Sequence, residues 1–441
     1  MSIYDLILKN GNVYIDNKNI QKVDIGIKSG IISYIGNLNN KEALEVINLK
    51  NLLVLPGCID SQVHFREPGL TYKEDIESGT KGAILGGITS IFEMPNTIPM
   101  TTNKNAFEQK LKIAEQKAYC NYAFFIGASK ENYTELKNLE QLPGCSGIKI
   151  FMGSSTGDLL VEDDKNLKKI LSNGNRRVSV HSEDEFRLRE RKYIIEKVDV
   201  KVQDHPVWRD VNTAVKSTKR LIKIALECSR NIHILHISTK DEVEIISKNK
   251  RFVSSEVTPQ HLYFQSPECY DTLGSLCQMN PPIRDSKHNA ALWEGVKSKI
   301  IDVVGSDHAP HTIEEKKKKY PQSPSGMTGV QTLVPVMLNF VNKGIISIDD
   351  FVRLTSVNPA KLFGVKNKSQ IKQGFDADFT IIDLKKSQIM ENKFIVSKAS
   401  WTPYDGLKFQ GWPIITIVNG KVAMRDNQII GDREGKKILF S

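Results

Sequence analysis

Three features of this 441-residue chain predict an α/β fold, a (β/α)8 TIM-like barrel with a small β-sandwich domain formed from both termini. Eight short apolar runs recur through the middle of the chain, with amphipathic segments between them. Both ends carry alternating sequence, broken by turn residues, of a different texture. The length exceeds the usual single-domain size and suits one large barrel with a smaller companion. We place the small β domain at residues 1–53 and 368–441, and the barrel at 54–367.

Residues 1 to about 50 read LILKNGNVYID, DIGIKSGIISYIG and ALEVINLKN, a pattern of small antiparallel strands. Asn10-Gly11 and Ser29-Gly30 are expected to be tight connections between them. The last part of the chain has the same alternation, DADFTIIDL near 376–384 and ITIVNGKVAM near 415–424, with another Asn-Gly pair. The two ends form either one sheet or two separate β caps.

The eight middle runs are LLVLPG (52–57), ITSIFEMPN (88–96), YAFFIGAS (122–129), GIKIFMG (147–153), RVSVHSED (177–184), IHILHIST (232–239), FVSSEVTPQHL (252–262) and IIDVVGSDHAP (300–310). Continuous apolar character suits strands buried on both faces. Between them, NAFEQKLKIAEQKAY and NTAVKSTKRLIKIALECS space their apolar residues near 3.6, as helices do. A doubly wound open sheet would call for a Gly-rich phosphate turn after the first strand, and the sequence has none there.

Composition narrows the function classes. The formal charge is +10, yet Lys and Arg are dispersed and no basic stretch is interleaved with aromatic residues, which argues against a nucleic-acid partner. The excess reads first as a lysine-rich surface, and such a charge could also help to steer an anionic substrate. The densest run, Glu314 to Lys319, is mixed in sign and reads as a solvated loop. No apolar stretch approaches the roughly 20 residues that cross a bilayer, and the N-terminus lacks a signal-peptide pattern. Six scattered cysteines without a CxxC pair suit reduced thiols, so a cytoplasmic location is expected.

Catalytic groups of such barrels gather at the C-terminal ends of the strands. His64 follows the first strand, Asn96 closes the second, Lys149 lies within the fourth, His181 ends the fifth and His236 sits in the sixth. Asp307, His308 and His311 follow the eighth. Taken singly, each has an ordinary structural explanation: a histidine bonded to its neighbours, a lysine reaching for water. Together they bring several ligand-type side chains to one barrel mouth, a candidate metal site. Imidazoles with a carboxylate suit zinc, which with an open position acidifies water. Asp307 is the natural general base. Lys149 as an ordinary ammonium has no acceptor atom and cannot ligate.

The stretch Pro56 to Gly69, PGCIDSQVHFREPG, resembles the first-strand motif of dihydroorotases in the amidohydrolase superfamily. EMPNT (93–97), GIKIF (147–151), MNPP (279–282), GSDHAPH (305–311) and GFDAD (374–378) are similar to that family's motifs in the same order, so the likeness runs over nearly the whole chain. The resemblance implies zinc-dependent, reversible cyclisation of N-carbamoyl-L-aspartate to (S)-dihydroorotate in pyrimidine biosynthesis. It implies a centre of one or two Zn2+ ions held by His64, Lys149 as a carbamate, His181, His236 and Asp307, with Asp307 also moving the proton. Arg66, Asn96 and His311 would hold the substrate carboxylate; Asn280 and the loop Ser325-Gly326 would contact the ring. Arg66 offers the planar fork that suits a carboxylate. A homodimer, and association with aspartate transcarbamoylase, are further implications.

One position departs from the pattern. The family's first motif reads His-x-His, and here Gln62 stands first, with only a neutral amide oxygen to offer a metal. The site then holds a single metal, or Gln62 coordinates weakly beside two, or the chain is a non-catalytic partner of aspartate transcarbamoylase. The rival enzymatic reading is another cyclic ureide hydrolase, an allantoinase or hydantoinase, whose neutral substrates need no anion clamp.

Overall fold

The computed structural model describes residues 3–16, 19–154 and 159–441. Five strands come first: β1 (Tyr4–Asp16), β2 (Asn19–Lys28), β3 (Ile31–Gly36), β4 (Ala43–Asn48) and β5 (Leu53–Pro56). Eight barrel strands follow: β6 (Cys58–Val63), β7 (Ile88–Glu93), β8 (Asn121–Gly127), β9 (Cys145–Phe151), β10 (Val178–His181), β11 (Ile232–Ile234), β12 (Val253–Val257) and β13 (Val303–Val304). The last four are β14 (Phe379–Ile389), β15 (Lys408–Val418), β16 (Lys421–Arg425) and β17 (Gln428–Ile429).

Strands β6 to β13 pair in parallel, each with the next in sequence. The ring closes where Val63 bridges His308 and the His64 N–H donates to the His308 carbonyl at 2.8 Å. This is the (β/α)8 barrel. Its helices include Lys104–Lys117, capped by Asn103, and Val211–Glu227, capped by Asp210, the two amphipathic segments picked out by their spacing.

Both termini contribute to one nine-stranded sheet, ordered β17-β16-β15-β14-β5-β1-β2-β3, with β4 beside β1. It has an apolar core of its own, which includes Leu6, Ile25, Val54, Phe379 and Ile417. The expectation of purely antiparallel pairing needs correction, because β4 and β5 both run parallel to β1. Asn10-Gly11 is not a turn either. It sits inside β1, where the register with β2 slips between Leu8 and Gly11 and Asn10 takes a φ of 58°. The other two pairs, Ser29-Gly30 and Asn419-Gly420, are hairpin tips with positive φ at both residues. The two tips pack together so closely that a Cβ on Gly30 would lie 2.8 Å from the Asn419 carbonyl.

The run LLVLPG, expected as the first barrel strand, belongs to the terminal sheet: Leu53–Pro56 pairs with Phe379–Ile382. The barrel starts one residue later with Cys58–Val63, whose polar residues face partners inside the barrel. Asp60 accepts the Ser306 N–H, and the Ser61 hydroxyl donates to Glu256. The end of the chain leaves the sheet and returns to the barrel, where Tyr122 donates to Lys436 O and Ile438 donates to Tyr122 O. Asp378 joins the two sheets. Its carbonyl accepts the Gly57 N–H, and its carboxylate takes Asn121 Nδ2, Lys368 Nζ and the Asn419 N–H.

All six cysteines are unpaired. Among the described residues no helix is long and apolar enough to cross a membrane. The segment Glu314–Lys319 is not simply a solvated loop: Ile313–Lys316 is a short helix, and Lys316 at its end is fully buried.

Candidate active site

Five strands deliver the chemistry. His64 follows β6, Lys149 lies in β9, His181 ends β10, His236 stands two residues beyond β11, and Asp307 three beyond β13. His236 and Asp307 have φ of 36° and 45°, conformations that non-glycine residues seldom hold without some surrounding constraint. All five line one pocket of about 340 Å³, shared with Gln62, Phe151, Asn280, Ala309, Ser325 and Gly326.

Inside it the side chains form two groups. His181 Nδ1 and His236 Nε2 are 3.1 Å apart, with their rings edge to face. Opposite, His64 Nε2 lies 3.2 Å from Asp307 Oδ1, and Gln62 Nε2 donates to the same oxygen at 2.9 Å. Lys149 Nζ stands over the Phe151 ring, 4.4 Å from its centre. Among the described residues no three His, Cys, Asp or Glu side chains meet at one point as a finished metal site. The donors nevertheless fit a divalent ion. His236 Nδ1 and Gln62 Oε1 are buried without a hydrogen-bond partner, on residues that line the pocket, and such orphaned atoms are what a cation would satisfy.

The electrostatics suit that role. Burial alone would raise the Asp307 pKa. The hydrogen bond with His64 is the largest of the effects that outweigh it and hold the carboxyl below its ordinary value. Burial pushes His236 well below the ordinary histidine value, helped by His181, and lowers His181 against the pull of Glu183. Neutral imidazoles, the ligating form, result. Burial also lowers the Lys149 ammonium to about 7 against the pull of Asp307 and Glu256. Glu256 is itself raised to about 8 by burial, against the Ser61 hydrogen bond.

Of the residues expected at the substrate, Asn280, Ser325 and Gly326 line the pocket, whereas Arg66, Asn96 and His311 do not. Asn96 Oδ1 sits 2.7 Å from His64 Nδ1 and so fixes that ring. Arg66 is buried, with Nε on the Pro310 carbonyl and a terminal nitrogen 3.4 Å from His311 Nε2. His308 faces away: its Nδ1 accepts the Gly329 N–H and its Nε2 meets Glu74 at 3.3 Å. Sequence reading missed Glu183, which lies 2.9 Å from His181 Nε2 and is ion-paired with Arg209. Burial opposes its ionisation, but Arg209 and His181 prevail and bring its pKa to about 2. The available signal was an acid two residues after a strand-end histidine. Also missed was His205, whose Nε2 lies 3.0 Å from Asn280 Oδ1.

Residues 53–423 match the amidohydrolase family model. A dihydroorotase of Pyrococcus furiosus is 34% identical over 98% of this chain and 96% of its own length. Those of Pyrococcus horikoshii and Methanothermobacter thermautotrophicus are 38% and 32% identical, covering 88% and 97% of this chain and 85% and 96% of their own. Among solved structures, an L-hydantoinase (dihydropyrimidinase) from Arthrobacter aurescens superposes with a TM-score of 0.94 at 28% identity, covering 99% of this chain and all of its own. A barrel with this pocket at its strand ends, matched over nearly its full length, belongs to the amidohydrolase family.

Proposed function

We propose that the protein is a zinc-dependent dihydroorotase, interconverting N-carbamoyl-L-aspartate and (S)-dihydroorotate. The observation that carries this reading is the gathering of His64, Lys149, His181, His236 and Asp307 in one pocket of a chain 32–38% identical to dihydroorotases. Held by these residues, with Lys149 as its carbamate, zinc would supply Lewis acidity at the ring carbonyl. A lysine whose pKa falls to about 7 has a large neutral fraction at physiological pH, and the neutral amine is the form that reacts with carbon dioxide.

Asp307, kept ionised, takes the proton of the attacking water and passes it to the ring nitrogen as the amide bond opens. In the cyclising direction it takes the ureido proton instead. Asn280, Ser325 and Gly326 contact the ring. Arg66, Asn96 and His311 supply the clamp for the substrate carboxylate, Arg66 with its planar fork. The reading carries with it a cytoplasmic setting and a dimer able to associate with aspartate transcarbamoylase.

The likeness to an L-hydantoinase favours a second reading, hydrolysis of a neutral cyclic ureide. Purified protein assayed with (S)-dihydroorotate, hydantoin, dihydrouracil and allantoin, alongside metal analysis, separates the two. Dihydroorotate turnover with bound zinc is expected. Turnover of the neutral rings alone would overturn the dihydroorotase reading.

A further inference from the structure

Lys316 ends the helix Ile313–Lys316 and is completely buried. Its Nζ lies 3.1 Å from the Gln278 carbonyl oxygen, 2.9 Å from that of Pro324 and 2.9 Å from that of Gly326. Carbonyls only accept, so three such contacts need the three N–H groups of an ammonium; a neutral amine has two. Burial opposes the charge and lowers the pKa to about 7, while the cage of oxygens and the Trp401 ring, 5.7 Å away, favour it.

The caged carbonyls belong to the two segments that shape one side of the pocket. Gln278 precedes Met279 and Asn280, and Pro324 and Gly326 flank Ser325. The same segments are bonded directly, since Gly326 N–H donates to Gln278 O and Gln278 Nε2 donates to Ser325 Oγ and Ser323 O. Gly326 is seated so tightly that a Cβ there would lie 2.4 Å from the Ala309 carbonyl.

We propose that Lys316 is a positioning residue, an internal cation that locks residues 323–326 onto Gln278 and so sets where Ser325 and Gly326 stand against the substrate. Without it the Pro324 and Gly326 carbonyl oxygens would be left buried and unpaired, Gln278 O keeping only the Gly326 N–H, and the segment would move to reach water. The inference rests on the dihydroorotase reading for the choice of substrate alone.

The test compares Lys316→Met, which keeps most of the volume, with Lys316→Ala, which leaves a cavity the size of the lost chain. Both are expected to raise KM for dihydroorotate about tenfold while changing kcat far less, with zinc content unaltered. Added n-propylammonium should restore the KM of Lys316→Ala, and 1-propanol, of the same size without charge, should not. A wild-type KM in Lys316→Met, equal rescue by the alcohol, a loss confined to kcat, or failure of both variants to fold would each overturn the proposal. If the unaltered enzyme ignores dihydroorotate, the function reading fails by itself, and the same variants are read on the cyclic amide it does hydrolyse.

Discussion

Gln62 donates its side-chain N–H to Asp307 Oδ1 at 2.9 Å, the same oxygen that His64 Nε2 approaches at 3.2 Å. The amide therefore orients the proposed base, while its own oxygen stays unpartnered. Gln62→Glu would replace that donor with a second carboxylate. Like charges disfavour ionisation, so the Asp307 pKa should rise and the acid limb of the kcat/KM profile should move to higher pH. A pH–rate profile unchanged from that of the unaltered enzyme would contradict this.

Asp307→Asn should remove turnover while sparing the fold. Asparagine tolerates the φ of 45° held here, and its amide cannot accept and return a proton. We expect kcat to fall by about 10³ with the melting temperature nearly unchanged, measured by steady-state assay and thermal denaturation.

Glu183→Gln should act through His181. The carboxylate 2.9 Å from Nε2 fixes the ring and its tautomer, and such partners are worth about 10- to 100-fold in metal affinity. Zinc competition with a chromophoric chelator measures the loss directly. Unchanged affinity would show that Arg209 and packing are enough to hold the ring.

Lys149 gives a pH-dependent stability effect with a defined sign. Its pKa is about 7 in the folded protein against an ordinary 10.5, so between those values the unfolded chain holds the extra proton and the folded one does not. Lys149 is thus a full liability below about pH 7, one that fades as pH rises towards 10.5. In metal-free protein Lys149→Met should raise the melting temperature at pH 6.5 and do so much less at pH 9.5. Melting curves at the two pH values decide it.

Much of this site was legible in the sequence because barrel strands announce themselves. Ile88–Glu93, Asn121–Gly127 and Cys145–Phe151 are buried on both faces and read as apolar runs, which places the polar residues at their ends. The first barrel strand was misplaced for the opposite reason. Asp60, Ser61 and Gln62 find partners nearly 200 residues or more away along the chain, which local pattern cannot show. The same limit hid Glu183 with Arg209, and it hid Lys316, whose place in a run of lysines suggests solvent while its partners lie outside that run, on Gln278 and on the segment that holds Pro324 and Gly326.

Asp378 is tied at once to Gly57, to Asn121 at the start of a barrel strand, and to Lys368 and Asn419 around the terminal sheet. A carboxylate that serves both halves cannot be freed by loosening only one of them. The terminal sheet should therefore lack a melting point of its own, and heat should take the molecule apart in a single cooperative step.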